Sequence, residues 1–559
     1  AIPLHYQNKI LGVYNLFIDN NTDLNDQETR DMLTNIAQHT SLAIEKSRLE
    51  EDNKRVSIMQ ERTMLAIYYP SAKPHMGHAY SSISADVIAR FKRLQDYKVF
   101  FLTGTDEHGQ KIQKAAEKEK KTPLEFCDQI SKIFLDLCSI LNLSNTDFIR
   151  TTEKRHYDTV QHLWNLLQKN DEIYLSKYSG WYSVSDEAFY SQDEIEEVDG
   201  IKRNIASGSP VEWVEEESYF FRLSKWTEPL IKFYKENPDF IQPESRRNEV
   251  VKFVESGLKD LSISRTSFNW GIPVPNDDKH IMYVWMDALT NYISATNYFS
   301  KENNNNFWPA DIHIIGKDIL RFHAVYWPAF LMAAKINLPK KVFGHGWILS
   351  GEEKMSKSKG NILDPIEIIN EFGLDELRYY LMKEVIYGQD GKINLENLKN
   401  CINSDLANNI GNLSQRIITI LLKKFDGRLP AIKNLTQIDK NILETNDSKF
   451  VNAMNSLELH NYVRQIVNFA SDVNKYVNDE EPWNIKRNSN ERIANILYVV
   501  IESLKKIFIL LHPIMPEKSE NFLKCLSIKK EDITLVNFNK KLEIGLEITS
   551  PGILFKKIL

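Results

Sequence analysis

The chain has 559 residues, too many for one hydrophobic core and read as three or four domains, and its 42% hydrophobic and 26% charged residues are those of an ordinary globular protein. A formal net charge of −6 argues against indiscriminate nucleic-acid binding, so an RNA partner must be met by a local basic surface. No apolar run reaches membrane-spanning length, no charged-then-apolar leader opens the sequence, and Cys127, Cys138, Cys401 and Cys525 lie too far apart for a zinc ribbon, so a reducing, cytoplasmic setting is expected.

Residues 10–18 read as a strand and 26–51 as an amphipathic helix, with Leu33, Ile36, Ala37, Thr40, Ala43, Ile44 and Ser47 on one face. A short apolar stretch at 65–69 then leads through Pro74-His75-Met76-Gly77-His78 into a helical pattern over about 79–94. Further apolar strands are expected at 99–102, 283–285, 312–315 and 341–343, alternating with helices. That alternation predicts an α/β fold, a Rossmann-like doubly wound parallel sheet that binds ligands at the carboxyl ends of its strands. Tyr69, His78, Asp106, Trp285, Gly316 and Trp347 sit at or just after such ends. Residues 177–221 interrupt the alternation and are rich in acidic residues and turns. From about Cys401 the chain reads as an α-helical bundle with polar loops such as 434–439.

Two segments carry phosphate chemistry. The stretch from Gly351 to Gly360 holds Lys354, Met355, Ser356, Lys357, Ser358 and Lys359, placing ammonium groups and hydroxyls on one glycine-flanked loop. Taken alone, such a loop is more often solvated and inert than functional. The upstream strand, turn and helix around His75 and His78 offer phosphate a helix N-terminus, with Gly77 permitting close approach to the backbone. Taken alone, those two histidines are equally caps or core residues. The two segments together, in this order, specify a nucleotide site.

At this point the chain resembles the class I aminoacyl-tRNA synthetases, whose HIGH and KMSKS motifs match His75 to His78 and Lys354 to Ser358. Ile67-Tyr68-Tyr69-Pro70, Gly104-Thr105-Asp106-Glu107-His108-Gly109, Tyr283-Val284-Trp285-Met286-Asp287-Ala288, Ile315-Gly316-Lys317-Asp318-Ile319, Phe322-His323 and Asn412-Leu413 narrow the resemblance to the methionyl-tRNA synthetases, from about Leu65 onward. The first 55 residues instead resemble the C-terminal half of a GAF domain, at Ile2-Pro3-Leu4, Leu11-Gly12-Val13 and 36–49. The organisation implied is 1–55 a GAF-like fragment; 62–176 and 223–345 the two halves of the catalytic domain; 177–222 the connective insertion; 346–400 the lysine loop and stem-contact region; 401–559 an anticodon-binding bundle.

The resemblance implies ligation of L-methionine to tRNA(Met), initiator tRNA included, through an adenylate made from ATP with Mg²⁺ held mainly by ATP oxygens. It implies His75, His78, Lys354 and Lys357 as catalytic residues, with Gly77, Gly316, Met355, Ser356 and Ser358 completing the ATP site. It assigns Ile67, Tyr69, Trp285, Ala288, Tyr292, Ile319, Phe322 and His323 to the methionine pocket and Asn412, Arg416 and Trp483 to the anticodon. Aromatic faces suit a flexible thioether, and a buried substrate ammonium requires a partner, for which Asp106 is the choice. Each of these residues has a plainer reading as core, as a buried hydrogen-bonding group, as a cap, or as a solvated bundle position.

The sequence departs from the family in two places. Where many relatives carry Cys-x-x-Cys knuckles it reads Tyr182-Ser183-Val184-Ser185-Asp186-Glu187, so no structural zinc is expected. The first strand is reached through Met64-Leu65-Ala66 in place of Thr-Thr-Pro, which removes a hydroxyl and a rigid proline. The editing insertion of the leucine, isoleucine and valine enzymes has no counterpart, leaving discrimination to the pocket. A monomer is expected. The competing reading is a non-catalytic GAF-fused sensor or tRNA-binding protein.

Overall fold

The computed structural model describes residues 2–6, 9–14, 60–70, 73–186, 188–300, 307–350, 353–354 and 363–558. The chain divides into two units, Ala1–Gln60 and Glu61–Leu559. In the first, Ile2–Tyr6 and Lys9–Tyr14 pair as an antiparallel hairpin whose register shifts between Leu4 and His5. The strand expected over 10–18 is thus seen over Lys9–Tyr14, and the helix expected over 26–51 lies outside the described residues.

Among the described residues the largest sheet has six strands: β1 Gln60–Leu65, β2 Lys98–Thr105, β3 Asp147–Arg150, β4 Ile241–Gln242, β5 Ile312–Gly316 and β6 Val342–His345. Their spatial order is β4-β6-β5-β1-β2-β3, and the registered pairs are parallel. Direction of winding reverses between β1 and β5, which makes the crevice beyond their carboxyl ends the expected ligand site. Successive side chains enter opposite cores: Leu65, Phe101 and Ile314 on one side, Met64, Leu102 and Ile315 on the other. The strand ends at Leu65 where the apolar stretch 65–69 was expected to form it, so the altered Met64 and Leu65 lie within β1, and its pairing is in place, with Thr63, Met64 and Leu65 in register with Ile312, His313 and Ile314. Ala66 N–H donates to Ile314 O at 3.0 Å, and Tyr68 N–H to Gly104 O at 2.8 Å.

Two expectations are corrected. Residues 283–285 are not a strand of this sheet: Asp277–Met282 belongs to a small antiparallel sheet, and Val284–Ser294 is a helix with Tyr283 at its N-cap. The spacing of Trp285, Ala288 and Tyr292 by three and four is the helical period. Residues 434–439 are not all loop either, because Thr436 caps the helix Gln437–Leu443 in a capping box with Asp439. Asp439 is fully buried, taking the Arg492 guanidinium at 2.6 and 3.1 Å and the Tyr476 hydroxyl at 2.6 Å.

The insertion folds as long antiparallel strands, Ile173–Ser183 against Glu212–Phe221, with Ala188–Tyr190 beside them and a separate hairpin of Ile195–Val198 and Ile201–Asn204. At the place of the knuckle, Asp186 accepts hydrogen bonds from the hydroxyls of Tyr190 (2.9 Å), Ser207 (2.5 Å) and Ser209 (2.7 Å). One carboxylate thereby cross-links two loops. In the C-terminal bundle, Asn490–Leu511 is buried along almost its whole length and packs against Leu459–Glu480 and Pro516–Cys525.

Candidate active site

The helix Met76–Leu94 begins where the loop after β1 ends, so its N-terminus lies at the carboxyl end of the sheet. His75 is the N-cap. Its Nδ1 accepts from Gly77 N–H at 3.1 Å, while His78 Nδ1 accepts from His75 N–H at 3.1 Å, a reciprocal box made by two imidazoles. Their ring centroids are 3.9 Å apart, and a Cβ on Gly77 would come within 2.9 Å of His75 Cε1. With Nδ1 accepting, a neutral ring at either position carries its proton on Nε2. His78 also packs edge-on against Tyr68 and Phe134, and burial, helped by His75, pushes its pKa down to about 3. The two histidines therefore meet at the helix start and cap it, with the His78 ring neutral. Further along the helix, Ser81 Oγ lies 2.8 Å from Nε2 of buried His345, at the end of β6.

Of the lysine loop, Met355, Ser356, Lys357, Ser358 and Lys359 lie outside the described residues, and Lys354 is described as part of the strand Glu353–Lys354. Ile348–Ser350 pairs antiparallel with Glu353–Lys354 and parallel with Gly391–Ile393. Gly346 is required there, since a Cβ would fall 2.2 Å from the Gln389 carbonyl. Asp390 binds the root to the loop after β5: its Oδ1 accepts from Trp347 N–H at 2.8 Å, and both its oxygens accept from Lys317 Nζ at 2.7 Å. Lys317 Nζ also lies 4.0 Å from the centre of the Trp347 ring, and Trp347 Nε1–H donates to Asp318 at 3.1 Å. Burial opposes ionisation of Asp390, yet Lys317 and the Trp347 N–H hold it below the usual carboxylate range. Gly316 ends β5 beside this cluster.

The aromatic pocket residues come together. Trp285 stacks on Phe322 with centroids 3.8 Å apart and planes 9° from parallel. Trp285 Nε1 is buried and finds no acceptor among the described residues. Tyr292 O–H donates to His323 Nε2 at 2.7 Å, and His323 Nδ1–H to Ile319 O at 3.0 Å. Burial pushes the His323 pKa down to about 4, so the ring is neutral. Phe322–Tyr326 forms wide, i→i+5 turns, a local irregularity common at functional sites, which leads Phe322 and His323 into this cluster. Ile67 and Tyr69 border the same apolar core, Ala288 is buried one turn before Tyr292, and Asp106 is buried directly after β2. The Tyr69 hydroxyl donates to His108 O at 3.2 Å. Sequence reasoning gave no role to His108, Asp287, His156 or Tyr157, nor to Lys317, Asp390 or Asn478; their partners are distant in sequence.

On the bundle, Asn412 and Arg416 stand one turn apart on the helix Asn412–Phe425. The Arg416 guanidinium lies 4.5 Å from the centre of the Trp483 ring, which is 45% exposed. Asn478 Oδ1 accepts from Arg416 at 3.3 and 3.4 Å and fixes that stack from the side. Asn412 is itself exposed and lines a cleft of about 180 Å³ with Asn408, Gln415, Phe555 and Lys557.

Among the described residues, no three His, Cys, Asp or Glu side chains are grouped to hold a metal ion, and no helix is long and apolar enough to cross a membrane. The family model described as tRNA synthetases class I (M) matches residues 63–204 and 199–418, and that of the anticodon-binding domain of tRNA ligase matches 443–550. A methionine–tRNA ligase of Rickettsia conorii is 50% identical over 504 residues, covering 88% of this chain and 98% of that protein. One from Rhizobium meliloti is 48% identical over 500 residues, covering 88% and 97%. Among solved structures, the methionyl-tRNA synthetase of Mycobacterium tuberculosis in complex with methionyl-adenylate superposes with a TM-score of 0.87 at 42% identity, covering 89% of this chain and 99% of that one.

Proposed function

The chain belongs to the class I methionyl-tRNA synthetases, and on that basis we propose that it ligates L-methionine to tRNA(Met) in two steps. In the first, a methionine carboxylate oxygen attacks the α-phosphorus of ATP and the bond to pyrophosphate breaks. In the second, a terminal ribose hydroxyl of the tRNA attacks the adenylate carbonyl and AMP leaves. The observation that carries the reading is the convergence of two devices on the β1/β5 crevice. One is a histidine-capped helix end, the other the anchored root of the lysine loop.

Positioning and neutralisation of charge supply the catalysis, since the protein forms no bond of its own. His75 and His78 bind phosphate through Nε2–H, over Gly77 and Gly316. Lys354 and Lys357, with Met355, Ser356 and Ser358, close on the departing pyrophosphate. Mg²⁺ would enter with ATP, held mainly by the ATP oxygens, and would supply positive charge to the phosphates. Trp285, Phe322, Ala288, Ile67 and Ile319 enclose the thioether; Tyr69, Tyr292 and His323 orient it; Asp106 receives the ammonium. Asn412, Arg416 and Trp483 read unpaired anticodon bases by edge hydrogen bonds and stacking. The enzyme works in the cytoplasm as a monomer, one chain carrying both surfaces, and charges initiator tRNA as well. The non-catalytic alternative gains no support from β1, whose hydrogen bonds are intact. Methionine-dependent ATP–pyrophosphate exchange, run beside leucine, isoleucine, valine and cysteine, tests the proposal; exchange with none of them, or better exchange with another amino acid, defeats it.

A further inference from the structure

The loop after β2 carries Asp106 and, two residues on, a buried His108. His108 Nδ1–H donates to Asp287 Oδ2 at 2.6 Å, and its Nε2 accepts from the Tyr157 hydroxyl at 3.1 Å. The other Asp287 oxygen accepts from His156 Nε2–H at 2.6 Å, and His156 Nδ1 lies 3.0 Å from Ser294 Oγ. Asp287, His108 and His156 are each at most 1% exposed. A carboxylate so enclosed requires donors on both oxygens, and it has them. Burial raises its pKa, but His108 and His156 outweigh that and bring it to about 2.

Place in the fold turns this cluster from packing into positioning. Asp287 stands on the helix Val284–Ser294 between Trp285 and Ala288, one turn before Tyr292. His108 belongs to the segment that carries Asp106, and its carbonyl is the acceptor for the Tyr69 hydroxyl. The rest of that segment is fixed independently. Glu107 receives Arg150 at 2.8 and 3.0 Å, and its carbonyl receives Trp270 Nε1–H at 2.6 Å. The His108–Asp287 bond thus ties the wall bearing Asp106 and Tyr69 to the wall bearing Trp285, Ala288 and Tyr292. We propose that Asp287 is a positioning residue for the amino acid, holding the polar and aromatic walls of its pocket at a fixed separation through His108, with His156 setting the carboxylate's orientation from behind.

This rests on the pocket assignment made above, and the test keeps the two apart. Methionine-dependent ATP–pyrophosphate exchange is measured on the full chain with Asp287→Asn, His108→Gln, the double variant and Trp285→Ala. An asparagine keeps the shape but turns an amide N–H toward one of the two imidazoles, so that bond is lost and the other is no longer charge-assisted. Asp287→Asn should raise the KM for methionine about tenfold or more and leave the KM for ATP within about twofold, as expected for one charge-assisted hydrogen bond acting on one substrate. The double variant should be no worse than the poorer single one, because both break the same link. Equal changes for both substrates, or a fall in thermal stability with both KM values unchanged, overturns the proposal. If Asp287→Asn does not fold, Tyr157→Phe removes only the hydroxyl at the far end of the chain of bonds. It should still raise the methionine KM by about twofold to fivefold, a neutral hydrogen bond's worth, and an unchanged KM then overturns the proposal. If Trp285→Ala leaves the methionine KM unchanged, the pocket assignment itself falls; if Trp285→Ala raises it and Asp287→Asn does not, only the positioning role falls.

Discussion

His78 has two jobs that one substitution can separate. Its Nδ1 accepts the His75 N–H at 3.1 Å and closes the helix cap, while its Nε2–H is the donor proposed for phosphate. In His78→Asn, Oδ1 takes the position of Nδ1 and keeps the cap, and the distal donor is lost. A preorganised donor to charge that develops in the transition state is worth about 10²–10³ in kcat, or ~2.7–4 kcal/mol. A helix cap is worth about 1 kcal/mol of stability. His78→Asn should therefore lower kcat of methionine-dependent exchange by about 10²–10³ with the melting temperature nearly unchanged, whereas His78→Ala should lose both kcat and about 1 kcal/mol, read as a shift in denaturation midpoint. A kcat for His78→Asn within about threefold of wild type would refute the assignment, because no transition-state contact of the expected size would then exist. The pH dependence has a fixed sign. His78 falls from 6.5 to about 3 on folding, so the neutral ring's contribution is fully present above the unfolded value and is lost as pH falls from 6.5 toward 3. Exchange activity should accordingly show no ionisation of this ring between about pH 6 and pH 9, and acid should destabilise the protein within that lower window.

Trp285→Ala removes a face stacked at 3.8 Å on Phe322, and should raise the methionine KM by about tenfold to a hundredfold with kcat less affected, from apolar area and ring contact together. Asp390→Asn releases Lys317 and weakens the hold on Trp347 N–H, so the root of the lysine loop loses its anchor to the loop after β5; the KM for ATP should rise by about fivefold to tenfold while that for methionine holds, measured in the same exchange assay. Trp483→Ala should leave exchange unaltered and raise the KM for tRNA in aminoacylation by about 5- to 150-fold, the equivalent of roughly 1–3 kcal/mol of lost base stacking, and Arg416→Ala, which strips the cation 4.5 Å from that ring, should act in the same direction; an effect on exchange would contradict the assignment of this surface to RNA.

Which features could be read from sequence follows from where each residue's partners come from. His75, Gly77 and His78 bind one another across a single turn, so their spacing alone announces a helix start at a strand end. Asn412 and Arg416 are likewise a helical pair, and alternation of apolar segments announced a parallel sheet, though not its short strands β3 and β4. Trp285 was placed on a strand because Tyr283-Val284-Trp285 is short and apolar, although the period of three and four through Ala288 and Tyr292 was already helical. The start of the helix at Gln437 was hidden in a polar run whose Thr436-x-x-Asp439 spacing is a capping signal. No such local signal exists for Asp287, whose imidazole partners lie 179 and 131 residues away, or for Asp390, 73 residues from Lys317. These are acceptors that two or three elements must deliver donors to, and only the folded sheet brings those elements together. The proposed substrate-touching groups could thus be read from their neighbours in the chain, while the groups that hold them apart or together could not. Substitutions at the second kind should for that reason act selectively on one substrate's KM while leaving the contacts of the other in place.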